Sequence, residues 1–202
     1  MGTTTLLILD IENGVLDMFP DPTHKAIYLQ RLEKTISEAR KNNIKIIHVI
    51  TAFRRGYPEK HANSGSSLAS IAAAGKFIEG SSDVSIHPAA KPTPEEVVIT
   101  KRRVSAFMGT ELEMILRCYD TNNLVIAGVA TSGAVLSTIR HAQDLDFQIT
   151  VLHDLCMDRD EEVHRVLIEK VFGKKCVVVT GEEWVDGLNA SSVRARRYRP
   201  LR

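Results

Sequence analysis

The sequence predicts an α/β protein of three layers, in which a six-stranded, mostly parallel sheet carries helices on both faces. Six short runs rich in Val, Ile and Leu lack the polar alternation of a half-exposed strand, which is typical of strands buried on both faces. Longer segments with apolar residues at helical spacing separate most of these runs, as in Rossmann-like folds. We expect the strands at residues 5–9, 44–50, 97–100, 123–128, 148–152 and 176–180.

Four helices are expected between the strands, from their capping and terminal residues. Asp21 should cap the first helix, and the second should begin after Thr110. The third should begin after Thr131 or Ser132, and the fourth should run from an acidic first turn to Gly173. Residues 51–96 contain scattered Gly, Pro, Ser and Asn without a clear strand, so we expect this segment to wrap over a site or to supply a partner contact.

The bulk composition predicts one domain without a strong electrostatic field. With 202 residues, 44% hydrophobic and 25% charged, the chain is long enough to bury one core, which we assign to residues 1–188. The formal net charge of +1 does not favour nucleic-acid binding. Residues 189–202 hold five arginines and no acid, and we expect a flexible, solvated basic tail. Without interleaved aromatic residues, this tail is not predicted to bind nucleic acid.

Cysteine usage and the amino terminus predict a cytoplasmic protein. Cys118, Cys156 and Cys176 are odd in number and widely spaced, which matches neither a disulfide framework nor a C-x-x-C metal site, so a reducing compartment is expected. The short apolar run near the amino terminus has no basic segment before it and ends at Asp10, so we expect no signal peptide. Export by a route that needs no signal peptide stays open. No apolar run approaches the length of a membrane span.

Three strand ends carry residues that are candidates for catalysis or ligand binding. Asp10 follows the first run, Lys101 ends the third, and the turn at 131–134 follows the fourth. Ligands bind at the carboxyl ends of strands in open parallel sheets, so these three points are expected to converge on one crevice. Each has an alternative interpretation: a loop cap or surface ion pair for Asp10, a solvated basic corner for Lys101 in "KRR", and a helix start selected for close packing for the turn.

The combination of these motifs resembles a known family. Asp10 after the first strand, then "KRRVSAFMGTEL" from Lys101, then "GVATSGAVLST" at 128–138, is similar in order and wording to the isochorismatase-like family, also called the cysteine hydrolases. The resemblance covers about residues 5–184 and implies the fold of that family, a six-stranded parallel sheet between helices. It also implies a catalytic triad of Asp10, Lys101 and a cysteine at position 134, where this chain has Ala134.

Two other cysteines are not expected to replace the missing thiol, because Cys118 falls in a predicted helix and Cys156 beyond the fifth predicted strand. The substrate-binding positions implied by the resemblance are Ala130, Thr131, Ser132, Gly133, Arg54 and Phe107. Guanidinium groups grip carboxylates in bidentate fashion, and the candidates for such a clamp are Arg54, Arg55, Arg102 and Arg103, of which we expect at least two to be exposed to solvent.

The absent thiol changes the chemistry that the resemblance implies. Amide hydrolysis through an acyl-enzyme needs a nucleophile, which Ala134 cannot supply. Isochorismatases of the same family have glycine at this position and hydrolyse a vinyl ether, which needs an acid, a cation for substrate carboxylates and backbone N–H groups for anionic oxygen. His61 alone does not make the metal site of related nicotinamidases, and "GVATSG" is not a dinucleotide-binding loop, so we expect no metal and no cofactor.

Two hypotheses of function follow. The first is a hydrolase that acts without a covalent intermediate on a small carboxylated substrate, with isochorismate as the concrete candidate. The second is a catalytically inactive family member that serves as a binding or assembly protein. Retention of both Asp10 and Lys101 favours the enzyme. The resemblance also implies a homo-oligomer, either a dimer or a tetramer.

Overall fold

The computed structural model describes residues 3–19, 21–61 and 67–197, apart from the side chains of residues 67 and 191–197. Its centre is one sheet of six strands in the order β3-β2-β1-β4-β5-β6. Every neighbouring pair is parallel, so the sheet is entirely and not only mostly parallel. All six predicted strands are present, as β1 (Thr3–Leu9), β2 (Lys45–Thr51), β3 (Val97–Lys101), β4 (Thr121–Val129), β5 (Gln148–Met157) and β6 (Val177–Val179).

Helices cover both faces of this sheet. They are α1 (Asn13–Leu16), α2 (Pro22–Lys41), α3 (Ser67–Ala73), α4 (Leu112–Cys118), α5 (Leu136–Asp144), α6 (Glu161–Val166) and α7 (Gly181–Arg197). Because side chains alternate along a strand, Leu6 and Ile8 of β1 pack with α2, whereas Leu7 and Leu9 pack with the face that carries α4 and α5. The predicted three-layer α/β architecture is therefore confirmed.

At two of the predicted helix starts, the expected residue accepts a hydrogen bond from the first turn. The Asp21 carboxylate accepts the N–H groups of Thr23 at 2.8 Å and His24 at 3.1 Å, which caps α2. The Thr110 hydroxyl accepts the N–H of Leu112 at 3.3 Å, but α4 begins at Leu112, one residue later than expected, after Glu111, which has no side-chain cap.

The other two helix predictions were wrong in detail. A π-helical turn (Thr131–Val135) precedes α5, and the residue before this turn is Ala130, whose side chain has no capping group. The hydroxyl of Thr131, which was expected to cap the helix, bonds instead to the His164 ring at 2.8 Å. Beyond α6 the chain continues as a π-helical turn (Leu167–Val171) and a 3₁₀ turn (Phe172–Lys174), so Gly173 does not close a regular helix.

Gly128 is the one position where the centre of the sheet requires glycine. Its φ is +139°, and a Cβ there would lie 2.2 Å from the carbonyl oxygen of Leu9. Leu9 is also its partner in the β1–β4 register, and Cys156 is its partner in β5. Cys156 therefore lies within β5, and the prediction that placed it beyond the fifth strand was wrong because this strand is longer than its apolar run.

The predicted division of the chain at residue 188 falls inside a helix. α7 crosses that point and continues to Arg197, whereas residues 198–202 lie outside the described part. The start of the expected tail is therefore helical, and its flexibility remains a prediction. Within the described ranges, none of the helices has both the length and the hydropathy that a membrane span needs.

Candidate active site

Four adjacent strands bring their carboxyl ends to one edge of the sheet, and their terminal residues meet there. Asp10 follows β1, Thr51 ends β2, Lys101 ends β3, and Ala130 follows β4. The strand order places β3, β2, β1 and β4 side by side, and Thr51 is the register partner of Lys101. Residues some ninety positions apart in the chain therefore become neighbours, as parallel pairing predicts.

Asp10 and Lys101 form a buried ion pair. The Lys101 Nζ lies 2.9 Å from Asp10 Oδ2, and the two side chains expose only 4% and 8% of their surface. Thr51 connects them, because its hydroxyl accepts a hydrogen bond from Lys101 Nζ at 2.6 Å and donates one to Asp10 Oδ1 at 3.2 Å. The three side chains thus fix one another through a closed set of contacts.

Burial decides the protonation tendency of Asp10, which the sequence alone left open. Desolvation raises the pKa of the carboxyl, and the Lys101 ammonium, together with the hydrogen bonds from Lys101 and Thr51, lowers it by less. The net shift is upward from the ordinary value of 3.8. Asp10 therefore retains its proton at a higher pH than an exposed aspartate does, which is the property of a general acid.

Glu12 is a second buried carboxyl that the sequence analysis missed. It is fully buried, and both of its oxygens lie within hydrogen-bond distance of the Thr51 N–H, at 3.0 and 3.2 Å. Burial, followed by repulsion from Asp10, raises its pKa to about 9. Glu12 is therefore neutral at pH 7, and its contact with the Thr51 N–H helps to fix Thr51, whose hydroxyl contacts Asp10 and Lys101. A glutamate two residues after a strand gives no sequence signal that separates it from a surface residue.

Asp10, Thr51 and Lys101 line a cavity of about 510 Å³. Most of its described wall is apolar and comes from four parts of the chain: the α1 region, the segment at 51–96, the residues after β3, and the end of β4 with the turn that follows it. These side chains are Val15, Met18, Phe53, Leu68, Ile71, Phe77, Val104, Val129, Ala130 and Ala134. The described parts of residues 51–96 therefore cover the strand ends, and Phe53, Tyr57, Leu68 and Phe77 form a small core of their own there.

The structure brings some of the predicted site residues to this cavity and leaves others out. Asp10, Lys101, Ala130 and Ala134 are in the wall. Arg54 is not: it pairs with Glu59 at 2.7 Å and exposes 58% of its side chain. Phe107 is also outside the wall, because it is buried against the rings of His141 and Phe147.

The turn after β4 contributes less to the cavity than expected. Thr131, Ser132 and Gly133 are not in its wall, whereas Ala130 before them is. The Ser132 N–H donates to Asp158 Oδ2 at 2.7 Å, and the Gly133 N–H donates to the Ala130 carbonyl at 3.0 Å. Two of the N–H groups that were expected to hold an anionic oxygen therefore have partners within the protein.

Of the four arginines proposed as carboxylate clamps, Arg102 and Arg103 line the cavity. Arg54 and Arg55 lie outside it, and these two and Arg103 are exposed to solvent, whereas Arg102 is partly buried. Sequence spacing could not make this distinction, because all four arginines follow the carboxyl end of a strand within a few residues.

None of the three cysteines lines the cavity. Cys118 is exposed on α4, Cys176 is partly buried, and Cys156 is buried in β5, where burial raises the pKa of its thiol to about 12. In the part of the chain that the structure describes, no three His, Cys, Asp or Glu side chains are grouped so that they could hold a metal ion. The expected absence of a metal and a cofactor stays a prediction.

The fold and the cavity define an α/β enzyme with an acid and an ammonium group at the ends of parallel strands. Comparison with known proteins gives the family: the model of the isochorismatase domain matches residues 4–183. The chain belongs to the isochorismatase family and is a hydrolase of that family.

Relatives and solved structures agree with this assignment. The chain is 27% identical over 189 residues to the uncharacterized isochorismatase family protein YecD of Escherichia coli O157:H7, covering 92% of this chain and 96% of that protein. It is 27% identical over 173 residues to the ureidoacrylate amidohydrolase RutB of Pantoea ananatis, covering 75% of this chain and 68% of that protein.

Two solved structures share the fold. A cysteine hydrolase from Pseudomonas syringae pv. phaseolicola superposes with a TM-score of 0.81 at 18% identity, covering 93% of this chain and 92% of that chain. N-carbamoylsarcosine amidase from Thermoplasma acidophilum superposes with a TM-score of 0.73 at 20% identity, covering 89% of this chain and 96% of that chain. At these identities the likeness concerns the fold alone.

Proposed function

We propose that this protein hydrolyses a small carboxylated substrate without a covalent intermediate, with Asp10 as general acid and vinyl-ether hydrolysis as the reaction. One observation carries the proposal: a carboxyl group with a raised pKa lies against an ammonium group in the wall of a cavity that contains no thiol. The catalytic set is Asp10 and Lys101, with Ala134 at the position where the family resemblance implies a cysteine.

The absence of a nucleophile directs the choice of reaction. Ala134 offers only a methyl group, and the three cysteines lie elsewhere in the fold. An acyl-enzyme would therefore need another attacking group. A vinyl ether needs none, because protonation of carbon generates an electrophile that water captures directly.

The reaction can be written with the groups that are present. Asp10 donates its proton to the terminal carbon of the enol ether, which leaves an oxocarbenium ion and an Asp10 carboxylate. Water adds to the cationic carbon and loses a proton, and the resulting hemiketal breaks down to a ketone and an alcohol. Lys101, 2.9 Å away, stabilises the carboxylate that forms. The proton released from water restores Asp10.

Amide hydrolysis is the second candidate, and the name of the ureidoacrylate amidohydrolase relatives supports it. An amide carbonyl must be attacked before its C–N bond breaks, so this reaction would require water to be activated by Asp10 in its ionised form. The upward shift of the Asp10 pKa favours the acid role over the base role. We therefore propose vinyl-ether hydrolysis as the first candidate reaction and amide hydrolysis as the second.

The test uses purified protein with isochorismate, following the release of pyruvate and 2,3-dihydro-2,3-dihydroxybenzoate. We expect turnover by the wild type and a loss of about 10²–10⁴-fold in Asp10→Asn, as is typical when a general acid is removed. Asp186→Asn is the matched control, because Asp186 is exposed on α7 and is not in the cavity wall. Its activity should equal that of the wild type.

Three results would count against this function. No turnover by the wild type eliminates isochorismate, and equal activity in Asp10→Asn removes the acid role of Asp10. Turnover of small amides but not of vinyl ethers would favour the amidohydrolase alternative. If neither class is turned over, the remaining hypothesis is the catalytically inactive binding or assembly protein.

Self-association and location complete the proposal. We infer a homo-oligomer, dimer or tetramer, from the family resemblance, and sedimentation velocity on the full chain tests it: a single species at the monomer mass of 22.4 kDa would contradict it. We also propose a cytoplasmic location, since all three cysteines are free.

A further inference from the structure

The charged side chains of the cavity wall are almost all neutralised by one another. Asp10 and Lys101 form one pair. Arg102 lies against Glu59, with Nε at 3.1 Å from Oε1, and its terminal amino group contacts Glu79. Glu59 also holds Arg54, which lies outside the wall. Lys101 and Arg102 therefore each have a carboxyl group of the protein as partner: Asp10 for Lys101, and Glu59 and Glu79 for Arg102.

Arg103 is the exception. Its guanidinium contacts two backbone carbonyl oxygens, that of Arg102 at 2.6 Å and that of Glu59 at 3.1 Å. Among the described residues, no carboxylate lies within ion-pair distance of it. The two carbonyl bonds hold the group in place without cancelling its charge, and a guanidinium has five N–H donors, so three remain for a ligand. Of the Lys and Arg side chains in the described part of the wall, Arg103 is therefore the one without a carboxyl group as partner.

Apart from the charged groups, Thr51 and His61, the described wall is apolar and disfavours polar substituents. Phe53, Leu68, Ile71 and Phe77 from the covering segment line the cavity together with Val104 and Val129. A hydroxyl placed against such side chains loses its hydrogen bonds to water and gains none. An apolar ring or chain, in contrast, gains from burial in the same space.

From these two observations we infer the class of substrate: an amphipathic carboxylate, with an apolar ring or chain against the wall and its carboxylate on Arg103. This inference rests on the proposed function only in taking the same cavity as the substrate site. It also narrows the class of substrate in that proposal. Isochorismate, with a hydroxyl and two carboxylates, tests the chemistry of Asp10, but a less polar carboxylate fits the wall better. Arg103 is then the residue that determines specificity for the anionic end.

Binding measurements test this inference without any turnover. Three probes share one six-membered ring: cyclohex-1-ene-1-carboxylate, its uncharged carboxamide, and shikimate, which adds three hydroxyl groups to the same ring. Titration calorimetry on the full-length protein is expected to show at least tenfold tighter binding of cyclohex-1-ene-1-carboxylate than of either other probe.

Variants separate the two parts of the inference. Arg103→Gln should remove the preference for carboxylate over carboxamide, and Arg103→Lys should restore part of it. Arg55→Gln is the control, since Arg55 is exposed and outside the wall, and its affinities should match the wild type. Ile71→Thr, which replaces the ethyl branch of the side chain by a hydroxyl, should weaken binding of the cyclohexene carboxylate and reduce its advantage over shikimate.

The inference is overturned if shikimate binds as tightly as cyclohex-1-ene-1-carboxylate, if none of the probes binds, or if Arg103→Gln leaves the carboxylate preference intact. Its failure is distinguishable from failure of the proposed function. Isochorismate turnover that depends on Asp10, combined with probe binding of the wrong order, would reject only the substrate class. Correct probe binding without turnover would reject only the reaction.

Discussion

Replacing Lys101 with Met is the sharpest test of the buried pair. Methionine has a similar length and no charge, so the change removes the ammonium and leaves the carboxyl of Asp10 in place. Both side chains expose less than a tenth of their surface. Removing one partner of such a pair costs about 3–5 kcal/mol of unfolding free energy, because the other charge is left buried and unpaired. For a domain of this size, the melting temperature should fall by about 6–20 °C.

The unfolding free energy that Lys101→Met loses should be larger at high pH than at low pH. Asp10 already has a folded-state pKa above the ordinary 3.8, so its contribution to stability is present below about pH 3.8 and is lost as the pH rises through the folded value. The Lys101 ammonium opposes that loss by lowering the pKa. Without it the folded pKa rises further, and the loss extends to higher pH. Lys101→Met should therefore be destabilised more at pH 8 than at pH 5.

Urea unfolding at pH 5 and pH 8 measures this effect. The double variant Asp10→Asn/Lys101→Met removes the stranded carboxyl, so it should be more stable than Lys101→Met at pH 8, with a smaller difference at pH 5. Equal destabilisation of the single variant at both pH values, without recovery in the double variant, would refute the reasoning. The cost would then come from lost packing and not from an unpaired charge.

Three further variants test other features of the site and the sheet. Glu12 has a pKa of about 9 in the folded state and 4.5 in the unfolded state, so the wild type loses stability as the pH rises between these values, and Glu12→Gln should gain about 1.4 kcal/mol of unfolding free energy relative to it per pH unit. Urea unfolding at pH 5, 6.5 and 8 measures this gain, and a difference that does not change with pH contradicts it. Ala134→Cys should release ammonia from small amides that the wild type leaves intact, and a folded variant without this activity would show that Asp10 and Lys101 do not serve a nucleophile at that position. Gly128→Ala should lose roughly 3 kcal/mol or more in urea unfolding, since its Cβ would lie 2.2 Å from the Leu9 carbonyl oxygen; a smaller loss would mean that β1 and β4 can separate locally.

Much of the fold follows from local patterns. The six apolar runs are too short for helices and too continuous for exposed strands, and each became a strand of the parallel sheet. The Asp21 cap also depends only on the residues that follow it, and it formed as expected. The cap expected at Thr131 did not form, because the hydroxyl found a partner, His164, from a distant part of the chain. Local signals fail where a long-range contact offers a better hydrogen bond.

For the predicted substrate contacts, too, long-range contacts decided which residues reach the cavity. Arg54, Arg102 and Arg103 are chemically identical in the sequence, and each follows the end of a strand. Their environments differ because Glu59, on the covering segment, takes up Arg54 and Arg102 but offers Arg103 only a backbone carbonyl. Phe107 was expected at the substrate and instead packs in the core.

By itself, the sequence determined the α/β class, the strands, the family resemblance and the residue types at positions 10, 101 and 134, because these depend on the order and spacing of side chains along one chain. Only the tertiary structure decided which of them share a cavity, that Asp10 holds its proton to higher pH, that Glu12 is neutral, and that Arg103 keeps an unmatched charge. The physical reason is that desolvation and Coulomb energies depend on distances between residues from separate strands and loops, and those distances exist only after the chain has folded.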